Sequence, residues 1–113
     1  MPAMSVLVVD DEPGVREICS RGLDQLGYTV YEASCGRAAI DLATRRHFDL
    51  LLVDIKMPGM DGLDTFRAIK ALQPDIVGIV MTAYASVDNA VKAVNSGLSG
   101  FILKPFRMAQ LQT

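Results

Sequence analysis

Short runs of consecutive apolar residues alternate along the chain with longer segments in which apolar residues recur every three or four positions. The short runs predict strands, and the longer segments predict amphipathic helices. Pro13 marks the start of the first helix and Gly27 its end. The apolar residues of this helix fall at three- and four-residue spacing, which predicts one inner face made of Val15, Ile18, Cys19, Leu23 and Leu26. Strands are predicted at residues 6–9, 28–33, 50–53, 76–81 and 100–103. Helices are predicted at residues 13–26, 36–46, about 63–72 and 86–96, with a short helical remainder at 107–113.

The first, third and fourth predicted strands are almost continuously apolar, as expected of strands that are covered on both faces. Strands that alternate with helices predict an α/β fold, a doubly wound parallel sheet with right-handed crossovers. The pattern suits the flavodoxin-like, five-stranded order 2-1-3-4-5, a (βα)5 arrangement whose last helix is short or truncated. Ligands bind such sheets beyond the carboxyl ends of the strands, at the switch point between strands one and three.

Composition narrows the class of protein. The 113 residues are 50% hydrophobic and carry a formal net charge of -2, which fits one domain and offers no basic surface for nucleic acid. The longest apolar run, at residues 76–81, is too short to span a membrane. Cys19 and Cys35 lack the spacing of a metal or redox motif, so we expect reduced core thiols in a cytoplasmic protein.

Polar residues that could bind a ligand or react with one follow the predicted strands. Asp10 and Asp11 come after the first strand, Asp54 after the third, Thr82 after the fourth and Lys104 after the fifth. Carboxylates that converge on one crevice repel one another unless a cation compensates, and their hard oxygens favour Mg²⁺. Acids, a divalent cation, a lysine and a hydroxyl are the surroundings that a phosphoryl group in transfer requires. A carboxylate can itself be the nucleophile and form an aspartyl phosphate.

The loop after the first strand argues against nucleotide binding. Its sequence at residues 10–14 is Asp-Asp-Glu-Pro-Gly, which is neither GxGxxG nor GxxxxGK[ST]. Acids at this position would also repel a phosphate placed directly on the helix N-terminus. We therefore expect this loop to bind a cation.

These residues together resemble the receiver domains of bacterial two-component response regulators, the CheY-like superfamily. The resemblance implies that Asp54 is the phosphoacceptor and receives its phosphoryl group from a histidine kinase. It also implies Mg²⁺ as cofactor, with Asp11 as a direct ligand, Asp10 as a ligand through water, and the backbone carbonyl of Lys56 beside Asp54. The matching segments are residues 8–13, 54–62, 81–83 and 104–106.

The resemblance further implies a switch. Thr82 would bond a phosphoryl oxygen, Lys104 would neutralise another, and Phe101 would rotate inward as Thr82 moves. The output surface would be the fourth helix, fifth strand and fifth helix, which would act on an unknown output domain or partner protein and could also form a homodimer. The domain would regulate and would not be an enzyme, although it assists its own phosphorylation and dephosphorylation. Residues 1–113 would be a single receiver domain excised from a longer chain.

Two other functions fit parts of the sequence. A Mg²⁺-dependent hydrolase of the haloacid-dehalogenase kind also uses an aspartyl nucleophile, but it needs a second aspartate two residues later as general acid. That position holds Lys56, which cannot do this at neutral pH. The other alternative is a degenerate receiver that serves only as an interaction module, which an inert Asp54 would reveal.

Overall fold

The computed structural model describes residues 4–55, 57, 59–82 and 100–103, with residues 82 and 100–103 described by their backbone. No helix in these ranges is long and apolar enough to cross a membrane. The strands are β1 (Ser5–Val9), β2 (Thr29–Ala33), β3 (Leu50–Asp54), β4 (Val77–Thr82) and β5 (Gly100–Leu103). The helices are α1 (Pro13–Gln25), α2 (Gly36–Arg45) and α3 (Gly62–Leu72).

The five strands form one parallel sheet in the order β2-β1-β3-β4-β5, so the predicted fold and strand order are confirmed. β1 and β3 lie at the centre, next to each other, where the chain changes direction across the sheet. This pairing creates the switch point at which α/β proteins bind ligands. The predicted helices at 86–96 and 107–113 lie outside the described residues.

The sheet divides the core into two layers because successive strand residues point to opposite faces. Along β1, Val6 and Val8 pack with the α1 residues Cys19 and Leu23 on one face. On the other face the alternate β1 residues pack beneath α2 and α3; this larger layer includes Leu7, Val9, Ala39, Ala43, Phe48, Leu51, Val53, Phe66 and Ile69. Coverage on both faces explains why β1 and β3 are continuously apolar.

The ends of the helices follow signals in the sequence. Pro13 is the first residue of α1, and Gly27 after that helix has a φ of 95°, in the left-handed region that favours glycine. Asp61 caps α3, since its side chain accepts a hydrogen bond of 2.8 Å from the Asp64 N–H. Pro13 and Asp61 therefore mark where the connections from β1 and β3 end, and Gly27 lies in the connection from α1 to β2.

Two predictions about buried residues are wrong. Ile18 and Leu26 were expected on the inner face of α1, but they are 58% and 43% exposed. The helix contacts the sheet along a narrower line through Val15 and Cys19 to Leu23, at four-residue spacing, and Ile18 lies about 100° around the helix from Cys19. Cys35 was expected in the core, but it precedes α2 and is partly exposed.

Candidate functional site

The strand register places two acidic residues side by side at the carboxyl edge of the sheet. Val9 of β1 is paired with Val53 of β3, so Asp10 and Asp54 follow at equivalent positions on adjacent strands. Asp10 is fully buried and Asp54 is 6% exposed. Carboxylates are rarely buried in proteins, so two buried acids side by side at this edge make it a candidate functional position.

The connection from β1 to α1 carries a close group of three acids. The carboxylate oxygens of Asp10, Asp11 and Glu12 can all lie within 4.8 Å of one another, with Asp10 buried and the other two exposed. The Glu12 N–H donates to Asp10 Oδ1 at 2.9 Å, which fixes the turn between them. A set of hard carboxylate oxygens reachable from solvent fits Mg²⁺.

Glu12 is the member of this group that the sequence analysis did not select. The predicted ligand set combined Asp10 and Asp11 with Asp54 and the carbonyl of Lys56. The signal was present as three consecutive acids in the loop at residues 10–14, which was expected to bind a cation, but the resemblance implied only Asp10 and Asp11 as ligands from that loop. In the structure Glu12 is the residue before the first turn of α1, and its carboxylate still reaches the other two acids.

The loop between β3 and α3 packs directly on the backbone of Asp54. The Gly62 N–H donates to the Ile55 carbonyl at 2.9 Å, and the Ile55 N–H donates to the Met81 carbonyl at 3.0 Å. A Cβ at Gly62 would overlap the Asp54 carbonyl oxygen, so only glycine allows this approach. Met57 in this loop is 8% exposed and belongs to the core. The loop therefore anchors Asp54 from its carboxyl side.

Arg16, which the sequence analysis did not select, bridges the acidic connection and β2. Its Nη1 donates to the Asp10 carbonyl at 2.6 Å, and its Nε lies 3.3 Å from Glu32 Oε1. The Arg16 side chain is 18% exposed and that of Glu32 is 44% exposed. No local pattern in the sequence indicates this contact, since its partners are 16 residues apart and meet only when β1 and β2 pair.

Of the remaining predicted site residues, the structure describes the backbone of two. Thr82 ends β4, one residue beyond Met81, which is paired with Asp54. Phe101 lies in β5 at the position paired with Val80. The predictions for Lys56 and Lys104 fall outside the described residues. The backbone thus brings the ends of β1, β3 and β4 to one edge, while the roles of all these residues stay predictions.

Comparison with proteins of known sequence identifies related regulators. The model for the response regulator receiver domain matches residues 6–113. The chain is 41% identical over 109 residues to the transcriptional regulatory protein ZraR of Escherichia coli O157:H7, covering 96% of this chain but 25% of ZraR. It is 33% identical to sporulation initiation phosphotransferase F of Bacillus subtilis, covering 95% of this chain and 86% of that protein. The chain therefore spans a quarter of one relative and most of the other.

Solved structures give the same result for the fold. A response regulator from Burkholderia pseudomallei with a phosphorylated aspartic acid, calcium ion and citrate superposes with a TM-score of 0.91 at 32% identity, over 96% of this chain and 64% of that one. Response regulator TrrA from Thermotoga maritima in complex with Mg²⁺-BeF superposes with a TM-score of 0.86 at 30% identity, over 96% and 93% of the two chains.

Proposed function

The chain belongs to the family of response regulator receiver domains, and we propose that Asp54 is the residue through which it works, accepting a phosphoryl group from a histidine kinase with Mg²⁺ as cofactor. Receiver domains are regulatory phosphoacceptor domains that receive phosphate from histidine kinases and act on outputs. The observation that carries the assignment to Asp54 is its position: it is a buried acid that ends a central strand, adjacent to Asp10.

The transfer is a displacement at phosphorus. A carboxylate oxygen of Asp54 attacks the phosphorus of the phosphohistidine, and a new O–P bond forms as the P–N bond breaks. The imidazole leaves with the electron pair of that bond and takes up a proton. Bound Mg²⁺ would offset the repulsion between the carboxylates and the phosphoryl oxygens. Of the residues that the resemblance implies, Asp10, Asp11, Asp54 and the backbone carbonyl of Lys56 would hold the ion.

Three more residues complete the proposal by resemblance. The Thr82 hydroxyl would donate to a phosphoryl oxygen, and the Lys104 ammonium would neutralise another. Phe101 would then repack, which changes the surface formed by the fourth helix, β5 and the fifth helix. Thr82 lies on β4 and Phe101 on the adjacent strand β5, where it is paired with Val80, two residues before Thr82; this arrangement suits a coupled movement.

The same proposal includes the regulatory role of the domain, its cellular location and the protein to which it belongs. It would assist its own phosphorylation and dephosphorylation without processing a metabolite, in the cytoplasm, where its two free thiols would stay reduced. Residues 1–113 would be one receiver domain of a longer protein with an output domain, or would act on a separate partner or as a homodimer. The hydrolase alternative gains no support from the relatives reported above, since none of them is named a hydrolase.

The direct test is phosphorylation of the purified domain. We expect a phosphorylated histidine kinase, or a small acyl phosphate donor, to add one phosphoryl group to the wild type when Mg²⁺ is present and none after chelation. Asp54→Asn should accept none, whereas Asp41→Asn, which changes an exposed acid on α2, should accept one. Intact-mass spectrometry measures the product. No addition to the wild type, or equal addition to Asp54→Asn, would overturn the proposal.

A further inference from the structure

Arg16 occupies an unusual position for a helix residue next to an acidic site. It lies in the first turn and a half of α1, and its side chain turns back toward the end of β1. There it makes two contacts at once, with the Asp10 carbonyl oxygen at 2.6 Å and with the Glu32 carboxylate at 3.3 Å. A planar guanidinium can hold two acceptors in a fixed relation, which an ammonium on a flexible stem does less well.

These contacts attach the acidic connection to β2 at a second point. The Asp10 N–H already donates to the Ala33 carbonyl at 3.2 Å at the end of β2. Arg16 ties the carbonyl side of the same residue to Glu32, the neighbour of Ala33. Asp10 is therefore held on both sides of its α-carbon, and the peptide plane that leads into Asp11 has its orientation set by the guanidinium.

We propose that Arg16 is a positioning residue for the metal site. The Arg16–Glu32 pair holds the connection at residues 10–12 in the conformation in which its carboxylates converge, so that Mg²⁺ binds without first ordering the backbone. This inference rests on the proposed function, because it assumes that these acids hold Mg²⁺. Groups that orient metal ligands in this way typically change metal affinity by about 10- to 100-fold when they are removed.

Electrostatics predicts the opposite effect, which makes the inference testable by its sign. Arg16 places a positive charge next to the group of acids that would bind a cation. If that charge were its main influence, removing it would tighten Mg²⁺ binding, because one repulsive charge would be gone. If positioning dominates, removing Arg16 weakens Mg²⁺ binding although the site becomes more negative.

The experiment is a calorimetric titration of the metal-free domain with MgCl₂, after circular dichroism has shown that each variant is folded. We expect Arg16→Ala to weaken Mg²⁺ binding roughly tenfold. Arg16→Lys keeps the charge but lacks the planar guanidinium that holds two acceptors, so it should weaken Mg²⁺ binding as well. Glu32→Gln leaves the hydrogen bond to Asp10 in place and removes the ion pair at an exposed position, so we expect a smaller loss.

Arg21 provides a matched control on the same helix. Its side chain is 76% exposed and pairs at 2.8 Å with Glu17, one turn away. Arg21→Ala removes the same charge without touching residues 10–12, so it should leave Mg²⁺ affinity unchanged. In a ¹⁵N spectrum of the metal-free wild type, Glu32→Gln should also shift the Arg16 Nε–H signal, because that nitrogen lies 3.3 Å from the Glu32 carboxylate.

The outcomes separate this inference from the proposed function. If the wild type binds Mg²⁺ and accepts a phosphoryl group while Arg16→Ala binds Mg²⁺ equally or more tightly, the positioning role is overturned and the proposed function stands. If Arg16→Ala and Arg21→Ala weaken binding equally, the loss does not depend on the contacts that Arg16 makes with Asp10 and Glu32, and the positioning role is also overturned. If the wild type binds no Mg²⁺, the proposed function itself fails, and this inference with it.

Discussion

Gly62 allows the loop after β3 to pack closely on the backbone of Asp54, because it has no side chain. Its backbone packs against the carbonyl of Asp54, and its N–H donates to Ile55 at 2.9 Å. The closest atoms to a Cβ at this position all belong to backbone, which cannot rotate away as a flexible side chain would. The position of the Asp54 backbone at the end of β3 therefore depends on a residue that has no side chain.

Gly62→Ala should consequently displace the end of β3. We expect a loss of about 2 kcal/mol in the free energy of unfolding, since the overlap can be relieved only by moving backbone. The rate of phosphorylation should fall as well, because Asp54 no longer faces the acids of the β1–α1 connection at the same distance. Urea unfolding and time-resolved mass spectrometry measure the two effects.

Gly14→Ala is the matched control for this prediction. Gly14 lies in the first turn of α1, and a Cβ there would meet no atom within 4 Å. Alanine is the better helix former, so this variant should be as stable as the wild type or more stable by up to about 1 kcal/mol. Equal stability and equal phosphorylation of the two alanine variants would contradict the role assigned to Gly62.

At the scale of elements, Gln73 joins α2 and α3 at the edge of the sheet opposite the site. It is 9% exposed and immediately follows α3. Its Oε1 accepts from the Phe48 N–H at 2.8 Å, and its Nε2 donates to the Ala43 and Arg46 carbonyls, each at 2.8 Å. One side chain thus satisfies backbone groups at the end of α2 that have no partner within the helix.

Gln73→Leu should destabilise the protein although it places an apolar side chain in a buried position. The Phe48 N–H and the Ala43 carbonyl would lose their partners, and a buried unsatisfied group costs about 1–3 kcal/mol. We expect the free energy of unfolding to fall by roughly 3 kcal/mol in urea titrations. Gln25→Leu, at the exposed end of α1, is the control and should change stability little. A neutral Gln73→Leu would show that water replaces these hydrogen bonds at no cost.

At the scale of the whole molecule, the apolar pattern was sufficient for the sheet and its order. Continuous runs predicted the covered strands, and the positions of Asp10 and Asp54 after two of them predicted that both acids lie at one edge. The alternation of Val6 and Leu7 between two layers follows from the same pattern. These features are predictable because each depends on local periodicity and on the rules of parallel sheets.

Contacts between distant segments escaped prediction for a physical reason. The Arg16–Glu32 pair and the hydrogen bonds of Gln73 depend on how the elements lie across one another, which periodicity does not contain. Ile18 was expected to be buried because the spacing of apolar residues identifies one face of the helix. The spacing does not show how much of that face contacts the sheet, and Ile18 is exposed. Glu12 lies in the loop that was expected to bind a cation, but the three acids come together through the fold of the β1–α1 connection, which the order of residues does not specify. The backbone of the site was therefore predictable, and the side chains that hold it in place were not.

The central claim is that this domain signals through an acyl phosphate on Asp54. Borohydride reduces an aspartyl phosphate to homoserine, and peptide mass spectrometry then locates the reduced residue. After incubation with a phosphodonor and Mg²⁺, we predict homoserine at position 54, and none when Mg²⁺ is chelated. Homoserine at Asp10, Asp11 or any other position, or unmodified aspartate at position 54 in a protein that has gained a phosphoryl group, would contradict the account.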